Sequence, residues 1–160
     1  METMSGFMLL TFWLCAGALG RGVTLTGLRA DSRQGDRAVV KLLEAFGAEV
    51  SMTEDAVTVR PGALRGMTVN APQIPDLVPV LSVVAAFAEG ETVIRDAQEL
   101  KVKESNRIAA MVAELTKAGV DVEETDDGMI VHGGAKPHGA SFETYKDHRI
   151  AMSLAVLGLA

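Results

Sequence analysis

The sequence predicts an α/β fold of repeated units of about 70 residues, with apolar helices inside and β-sheets outside. Two observations support this prediction. The same order of strand, helix, hairpin, strand and apolar helix occurs twice along the chain. The closing helix of each round is also apolar on nearly all sides, which is typical of a buried helix. Because such units cannot bury their apolar faces alone, we expect them to pack against one another.

The chain begins with a predicted helix in residues 1–20, which matches the closing helix of a preceding unit. Its apolar run at 7–19 is shorter than the roughly 20 residues that cross a bilayer. It also lacks the basic segment that opens a signal peptide. We therefore expect a buried helix here.

The first complete unit is predicted at residues 21–90. β-forming residues at 23–28 predict a strand, and the helical spacing of apolar residues predicts a helix over 36–46 that ends at Gly47. The rest of the unit is a hairpin of strands 49–52 and 57–60, a strand at 67–70, and an apolar helix that opens at 75–77.

The second unit is predicted at residues 91–160 with the same order of signals. A strand at 92–96 precedes a helix over 104–118, which Gly119 ends. The remaining elements are a hairpin of strands 121–123 and 129–132, a strand at 140–143, and an apolar helix that opens at 146–148. Asp76 and Asp147 occupy equivalent positions, where either can be an N-cap or a first-turn acid. Both ends of the chain interrupt the pattern, so we expect a fragment of a longer protein.

Composition limits the classes of protein and partner. The chain has 160 residues, 48% hydrophobic and 22% charged, as in a globular domain. Its net charge of −6 argues against nucleic acid and anionic membranes as partners. Cys15 is the single cysteine, so we expect a buried small side chain in a reducing compartment, the cytoplasm. Three histidines and one cysteine form no metal-binding pattern.

Two charged clusters, at residues 101–107 and 147–152, stand where helices are predicted to begin. A helix N-terminus offers free N–H groups and a positive dipole end to an anion. The cations Lys103, Arg107 and Arg149 extend that preference toward phosphate or carboxylate. Lys103 and Arg107 are four residues apart and are expected to share a helix face. Three structural explanations for these charged residues remain open: they are N-caps, they interact with the helix dipole, or they form a solvated charged face.

Three motifs make the chain similar to the 5-enolpyruvylshikimate-3-phosphate synthase family. They are IPD at 74–76, LKVKESNRI at 100–108 and DHRIAMS at 147–153. The resemblance covers about residues 11–160, with Lys101 where the family usually has Arg and Asn106 where Asp is usual. It implies an inside-out α/β barrel of which this chain is part of one domain.

The resemblance also implies an activity. The family transfers the enolpyruvyl group of phosphoenolpyruvate to the 5-hydroxyl of shikimate 3-phosphate and releases phosphate, in chorismate and aromatic amino acid biosynthesis, without metal or cofactor. The positions that match the family's catalytic residues are Asp76, Lys103 and Glu104: Asp76 for the shikimate hydroxyls as a base, Lys103 for shikimate 3-phosphate, and Glu104 as a proton donor to the methylene. Arg107 and Arg149 match the residues that bind phosphoenolpyruvate. Asp147, His148 and Lys101 match supporting positions.

We expect this chain to be inactive by itself. The family's N-terminal half carries further phosphate-binding residues, and its C-terminal segment carries one more lysine for phosphoenolpyruvate. The expected partners are therefore these missing parts of the same enzyme and its two small substrates, with no nucleic acid or membrane. Two alternatives remain open at this point. One is a protein like UDP-N-acetylglucosamine enolpyruvyl transferase, and the other is a non-catalytic anion-binding module.

Overall fold

The computed structural model of the protein describes residues 6–20, 22–26, 33–53, 56–73, 77–102, 106–134, 143 and 147–159. The helices are α1 (Gly6–Leu19), α2 (Arg33–Phe46), α3 (Val78–Phe87), α4 (Arg107–Lys117) and α5 (His148–Leu159). The strands are β1 (Val23–Thr26), β2 (Glu49–Met52), β3 (Ala56–Arg60), β4 (Thr68–Asn70), β5 (Glu91–Arg95), β6 (Asp121–Thr125) and β7 (Gly128–His132). The predicted α/β fold is confirmed. The strand predicted at 140–143 lies outside the described residues except for Glu143.

The strands form two sheets. The first has the order β1-β3-β2 and is antiparallel throughout. The second has the order β4-β5-β7-β6, in which β4 and β5 are parallel and the other neighbours antiparallel. Both predicted hairpins are confirmed as the pairs β2–β3 and β6–β7. Since β4 and β5 lie on either side of the predicted boundary at residue 90, the second sheet includes strands from both predicted units.

Three apolar helices, α1, α3 and α5, pack against one another in the interior. Residues Val78–Ala86 of α3 are all buried, because their side chains are apolar on every face apart from Ser82. The Ser82 hydroxyl donates to the Pro79 carbonyl at 2.6 Å, which satisfies its polar atom inside the core. The first sheet contacts α1, and the second sheet contacts α3. The prediction that the apolar helices lie inside is confirmed.

The helix starts differ from the predicted ones. The helix α4 begins at Arg107 and not at Glu104, because Asn106 is its N-cap: the Asn106 backbone is extended, and its side chain accepts the Ala109 N–H at 3.0 Å. Lys103, which is expected to share a helix face with Arg107, lies outside the described residues, so that expectation stays a prediction. The N-cap of α3 is Leu77, so Asp76 precedes the cap position. The helix α2 begins at Arg33, earlier than predicted.

Helix ends follow the predicted glycines. Gly47 after α2 has φ of 112° and Gly119 after α4 has φ of 90°, a region that glycine reaches without steric cost. The Gly47 N–H donates to the Glu44 carbonyl at 2.9 Å and so closes the last turn of α2. Within the described part of the chain, no helix has the combined length and apolar character needed to cross a bilayer.

Candidate functional site

The starts of α4 and α5 are joined by a buried ion pair. The Nε of Arg107 donates to Oδ2 of Asp147 at 2.9 Å, and the two residues are 4% and 1% exposed. Arg107 is the first residue of α4. Asp147 directly precedes α5, and its carbonyl accepts the Ala151 N–H at 3.0 Å, as an N-cap carbonyl does. The structure therefore brings together one residue from each of the two charged clusters, Arg107 and Asp147.

The sequence of α4 explains why Arg107 points inward. The helix is amphipathic, and Ile108, Met111 and Leu115 on its apolar face are fully buried. Arg107 lies one turn before Met111 on that face, so its side chain is directed toward α5 and not toward solvent. On the facing helix, Ile150, three residues after Asp147, is also fully buried.

The charges at this junction come from two helix starts and their flanking side chains. The helices α4 and α5 contact each other, and each N-terminus carries a partial positive charge. The Asp147 carboxylate balances the Arg107 guanidinium, so the pair itself adds no net charge. Arg149, in the first turn of α5, brings a further positive charge to the same region of the chain. A phosphate or carboxylate ligand is the chemistry that such a junction favours.

For several predicted site residues, the whole residue or its side chain lies outside the described part of the structure. Asp76, Lys103 and Glu104 lie outside the described residues. His148 and Arg149 belong to the first turn of α5, but their side chains are not among those described. The helix α3, which follows Asp76, packs against both α4 and α5. The predicted roles of these residues therefore stay predictions.

Lys101 contacts the β6–β7 hairpin. Its Nζ lies 3.0 Å from Oε2 of Glu124 and donates to the carbonyls of Thr125 and Asp126 at 3.1 and 3.2 Å. In the same turn, Oδ2 of Asp127 accepts the Asp96 N–H at 3.0 Å, which lowers the pKa of the Asp127 carboxyl. Through these contacts, Lys101 joins the segment that precedes residue 103 to the second sheet.

Glu114, a fully buried acid in α4, is not among the predicted site residues. Its Oε1 accepts the backbone N–H of Glu143 at 2.5 Å and pairs with Nζ of Lys117 at 3.0 Å. A signal was present in the sequence: Glu114 occupies a position on the apolar face of α4, next to Leu115. A charged residue at such a position requires a polar partner in the core.

Other candidate sites are less suited to chemistry. Burial raises the pKa of the Cys15 thiol to about 12, and the prediction of a buried small side chain is confirmed. A cavity of about 380 Å³ lies where α1 and α3 end. Its lining includes Leu19, Arg65 and Phe87 but, among the described residues, no predicted site residue. In the described ranges, no group of three or more His, Cys, Asp or Glu side chains is arranged to hold a metal ion.

Comparison with known proteins gives a consistent result. The family model for EPSP synthase (3-phosphoshikimate 1-carboxyvinyltransferase) matches residues 10–160. A 3-phosphoshikimate 1-carboxyvinyltransferase of Clostridium kluyveri is 43% identical over 151 residues, which cover 94% of this chain and 35% of that protein. The protein of the same name from Thermococcus kodakarensis is 44% identical over 149 residues, which cover 93% of this chain and 37% of the relative.

Solved structures agree with the sequence matches. The EPSP synthase of Acinetobacter baumannii superposes with a TM-score of 0.82 at 30% identity, over 94% of this chain and 38% of that one. The enolpyruvyl transferase NikO of Streptomyces tendae superposes with a TM-score of 0.77 at 26% identity, over 100% of this chain and 38% of that one. The chain thus spans little more than a third of the length of these relatives. On the match of the family model to nearly its whole length, this chain belongs to the EPSP synthase family.

Proposed function

We propose that this chain forms the part of an enolpyruvyl transferase that binds phosphoenolpyruvate and shikimate 3-phosphate where α3, α4 and α5 begin. Together with the rest of such an enzyme, it transfers the enolpyruvyl group to the 5-hydroxyl of shikimate 3-phosphate and releases phosphate. The observation that carries the proposal is the buried Arg107–Asp147 pair, which holds two motif-bearing helix starts side by side.

Both substrates are anions, and the junction suits them. The N-termini of α4 and α5 offer backbone N–H groups and positive dipole ends. Arg107 and Arg149 would bind the carboxylate and phosphate of phosphoenolpyruvate, since a guanidinium can contact such groups through two parallel N–H bonds. Asp147 supports this role because its carboxylate fixes the direction of the Arg107 guanidinium. Lys103 would bind the phosphate side of shikimate 3-phosphate.

The reaction requires two opposite proton transfers. As the 5-hydroxyl oxygen bonds to C2 of phosphoenolpyruvate, the hydroxyl loses a proton and the methylene carbon gains one, giving a tetrahedral adduct. Elimination then breaks the C–O bond to phosphate, which leaves with the proton that the base took from the hydroxyl, and the new methyl group returns a proton to the enzyme. Asp76 would act as the base for the hydroxyl, and Glu104 would exchange the proton with the carbon. Each carboxylate belongs to the segment just before a described helix, α3 or α4.

The chain alone is expected to bind anions without turnover, because further cationic residues are needed for two phosphates and a carboxylate. The partner is therefore the remainder of an enolpyruvyl transferase, and the proposed compartment is the cytoplasm. Phosphate release by the purified chain, supplied with both substrates, tests this part of the proposal. Sustained release would contradict the need for a partner.

Binding is tested by titrating the isotopically labelled chain with phosphoenolpyruvate and following amide signals by NMR. We expect shifts at residues 106–108 and 147–150 and none in β3. Arg149→Ala should weaken binding at least tenfold, whereas Lys41→Ala, which removes an exposed cation from α2, should not. Equal loss in both variants would indicate non-specific charge attraction and reject the site. Competition by shikimate 3-phosphate but not by UDP-N-acetylglucosamine separates the proposed substrate from that of the related transferase.

A further inference from the structure

We infer that Glu114 is a positioning residue, which holds the backbone at Glu143 and thereby fixes where α5 begins. Glu114 does not lie at the helix starts, because it is two turns along α4 from Arg107. Its influence on a ligand is therefore indirect, through the chain between Glu143 and Asp147. The inference rests on the proposed function only in its consequence for ligand binding.

The first support is the cost of burying this side chain. Glu114 is 0% exposed on the apolar face of α4, where a carboxylate is unfavourable unless it has strong partners. A hydrophobic residue at this position would pack without that cost. The carboxylate is thus explained by the contact it makes and not by general packing.

The second support is the nature of that contact. Oε1 of Glu114 accepts the backbone N–H of Glu143 at 2.5 Å, and a hydrogen bond to an ionised acceptor is stronger than one between neutral groups. The same oxygen pairs with Lys117. The Lys117 side chain is 43% exposed, so solvent weakens this ion pair. The bond to the backbone reaches across to another segment of the fold, whereas the bond to Lys117 stays within α4.

The third support is that two residues of α4 contact the chain just before α5. Arg107 holds Asp147 and Glu114 holds Glu143. Along the axis of α4, Arg107 and Glu114 are about 10 Å apart. The four-residue step from Glu143 to Asp147 can reach at most about 14 Å. A contact that fixes Glu143 therefore limits how far away Asp147 and the start of α5 can lie.

A displaced helix start weakens binding because anion contacts depend on position. A shift of about 1 Å in a group that contacts a ligand can reduce function a hundredfold. Loss of the Glu114 contact should therefore affect the ligand more than it affects the distant sheet. This difference separates a positioning role from a general contribution to the core.

The test uses three variants of the chain and two measurements. Glu114→Met removes the acceptor, Glu114→Gln keeps an acceptor oxygen without the charge, and Lys117→Met removes the lysine that pairs with Oε1. Amide hydrogen exchange at Glu143 reports the contact, and exchange at Val57 and Val59 in β3 reports the integrity of the fold. Calorimetric titration with phosphoenolpyruvate reports the consequence for binding.

We expect exchange at Glu143 to rise at least tenfold in Glu114→Met and the Kd for phosphoenolpyruvate to rise at least tenfold, with β3 unchanged. Glu114→Gln should restore both values to within about threefold, and Lys117→Met should resemble the unmodified chain. Unchanged protection at Glu143, equal losses in Glu114→Met and Lys117→Met, or faster exchange in β3 would each overturn the inference. If the unmodified chain binds no phosphoenolpyruvate, the proposed function fails, and the exchange pattern still decides the role of Glu114.

Discussion

Removing one member of the Arg107–Asp147 pair should strongly destabilise the chain. Both side chains are almost fully buried, and Nε lies 2.9 Å from Oδ2. Arg107→Met leaves the Asp147 carboxylate in the interior without its guanidinium. Losing one partner of a buried ion pair typically costs about 3–5 kcal/mol. A domain of this size has a total stability of about 5–15 kcal/mol, so the loss is a large fraction of it.

The second variant, Asp147→Asn, removes the negative charge at nearly constant volume, and the double variant removes both charges. Because the two residues are in direct contact, their effects should not add. We expect the double variant to be more stable than the sum of the single losses predicts, by about 1–3 kcal/mol.

Urea unfolding followed by circular dichroism measures these differences. With a slope of about 1–3 kcal/mol/M for small proteins, a loss of 3 kcal/mol lowers the midpoint by about 1–3 M. Lys41→Met, on the exposed face of α2, is the control and should leave the midpoint nearly unchanged. If Arg107→Met cost less than about 1 kcal/mol, or if the double variant lost the full sum, the buried pair would not be what joins α4 to α5.

Three further predictions concern other parts of the fold. Since burial raises the pKa of the Cys15 thiol from 9.0 to about 12, a thiol reagent at pH 8 should label the folded chain roughly a thousandfold more slowly than the chain in urea. The Asp96 N–H lowers the pKa of Asp127, so its carboxylate stabilises the folded state above the unfolded pKa and loses this effect as pH falls through the lower folded value. The urea midpoint should therefore drop more between pH 5 and pH 2 in the unmodified chain than in Asp127→Asn. Gly47→Ala should cost about 1–3 kcal/mol or more, because φ is 112° there and an added Cβ would collide with a neighbouring backbone carbonyl, whereas Gly158→Ala, with open space around its Cβ, should cost nothing in the same unfolding assay.

Local signals in the sequence predicted much of the fold. Continuous apolar character in residues 77–88 predicts a buried helix, and α3 is buried along Val78–Ala86. The glycines after α2 and α4 predict the helix ends because a positive φ excludes most other residues. Each of these signals depends on a few neighbouring residues, which is why the sequence alone is enough for them.

Long-range features were not predictable in the same way. The parallel pairing of β4 with β5 depends on how α3 crosses the sheet, and no local pattern specifies it. The sequence predicts too early a start for α4, because the charged residues before it resemble a first turn. In the structure, Asn106 is the N-cap. Asp147 and Glu143 lie 40 and 29 residues along the chain from Arg107 and Glu114, so these contacts are visible only after folding.

The polar contacts inside this fold specify position more than they add stability, and one comparison can separate the two effects. A buried ion pair can often be replaced by uncharged groups at little cost, so the variant with both Arg107→Met and Asp147→Asn should retain a cooperative fold. In the proposed site, anion binding depends on the guanidinium and on the orientation of the α5 start, so this variant should lose affinity for phosphoenolpyruvate at least as fully as Arg107→Met alone. Titration of both variants under conditions where each is folded measures this. If affinity recovered together with stability, the pair would act only through the fold, and the helix junction would have no direct part in holding the ligand.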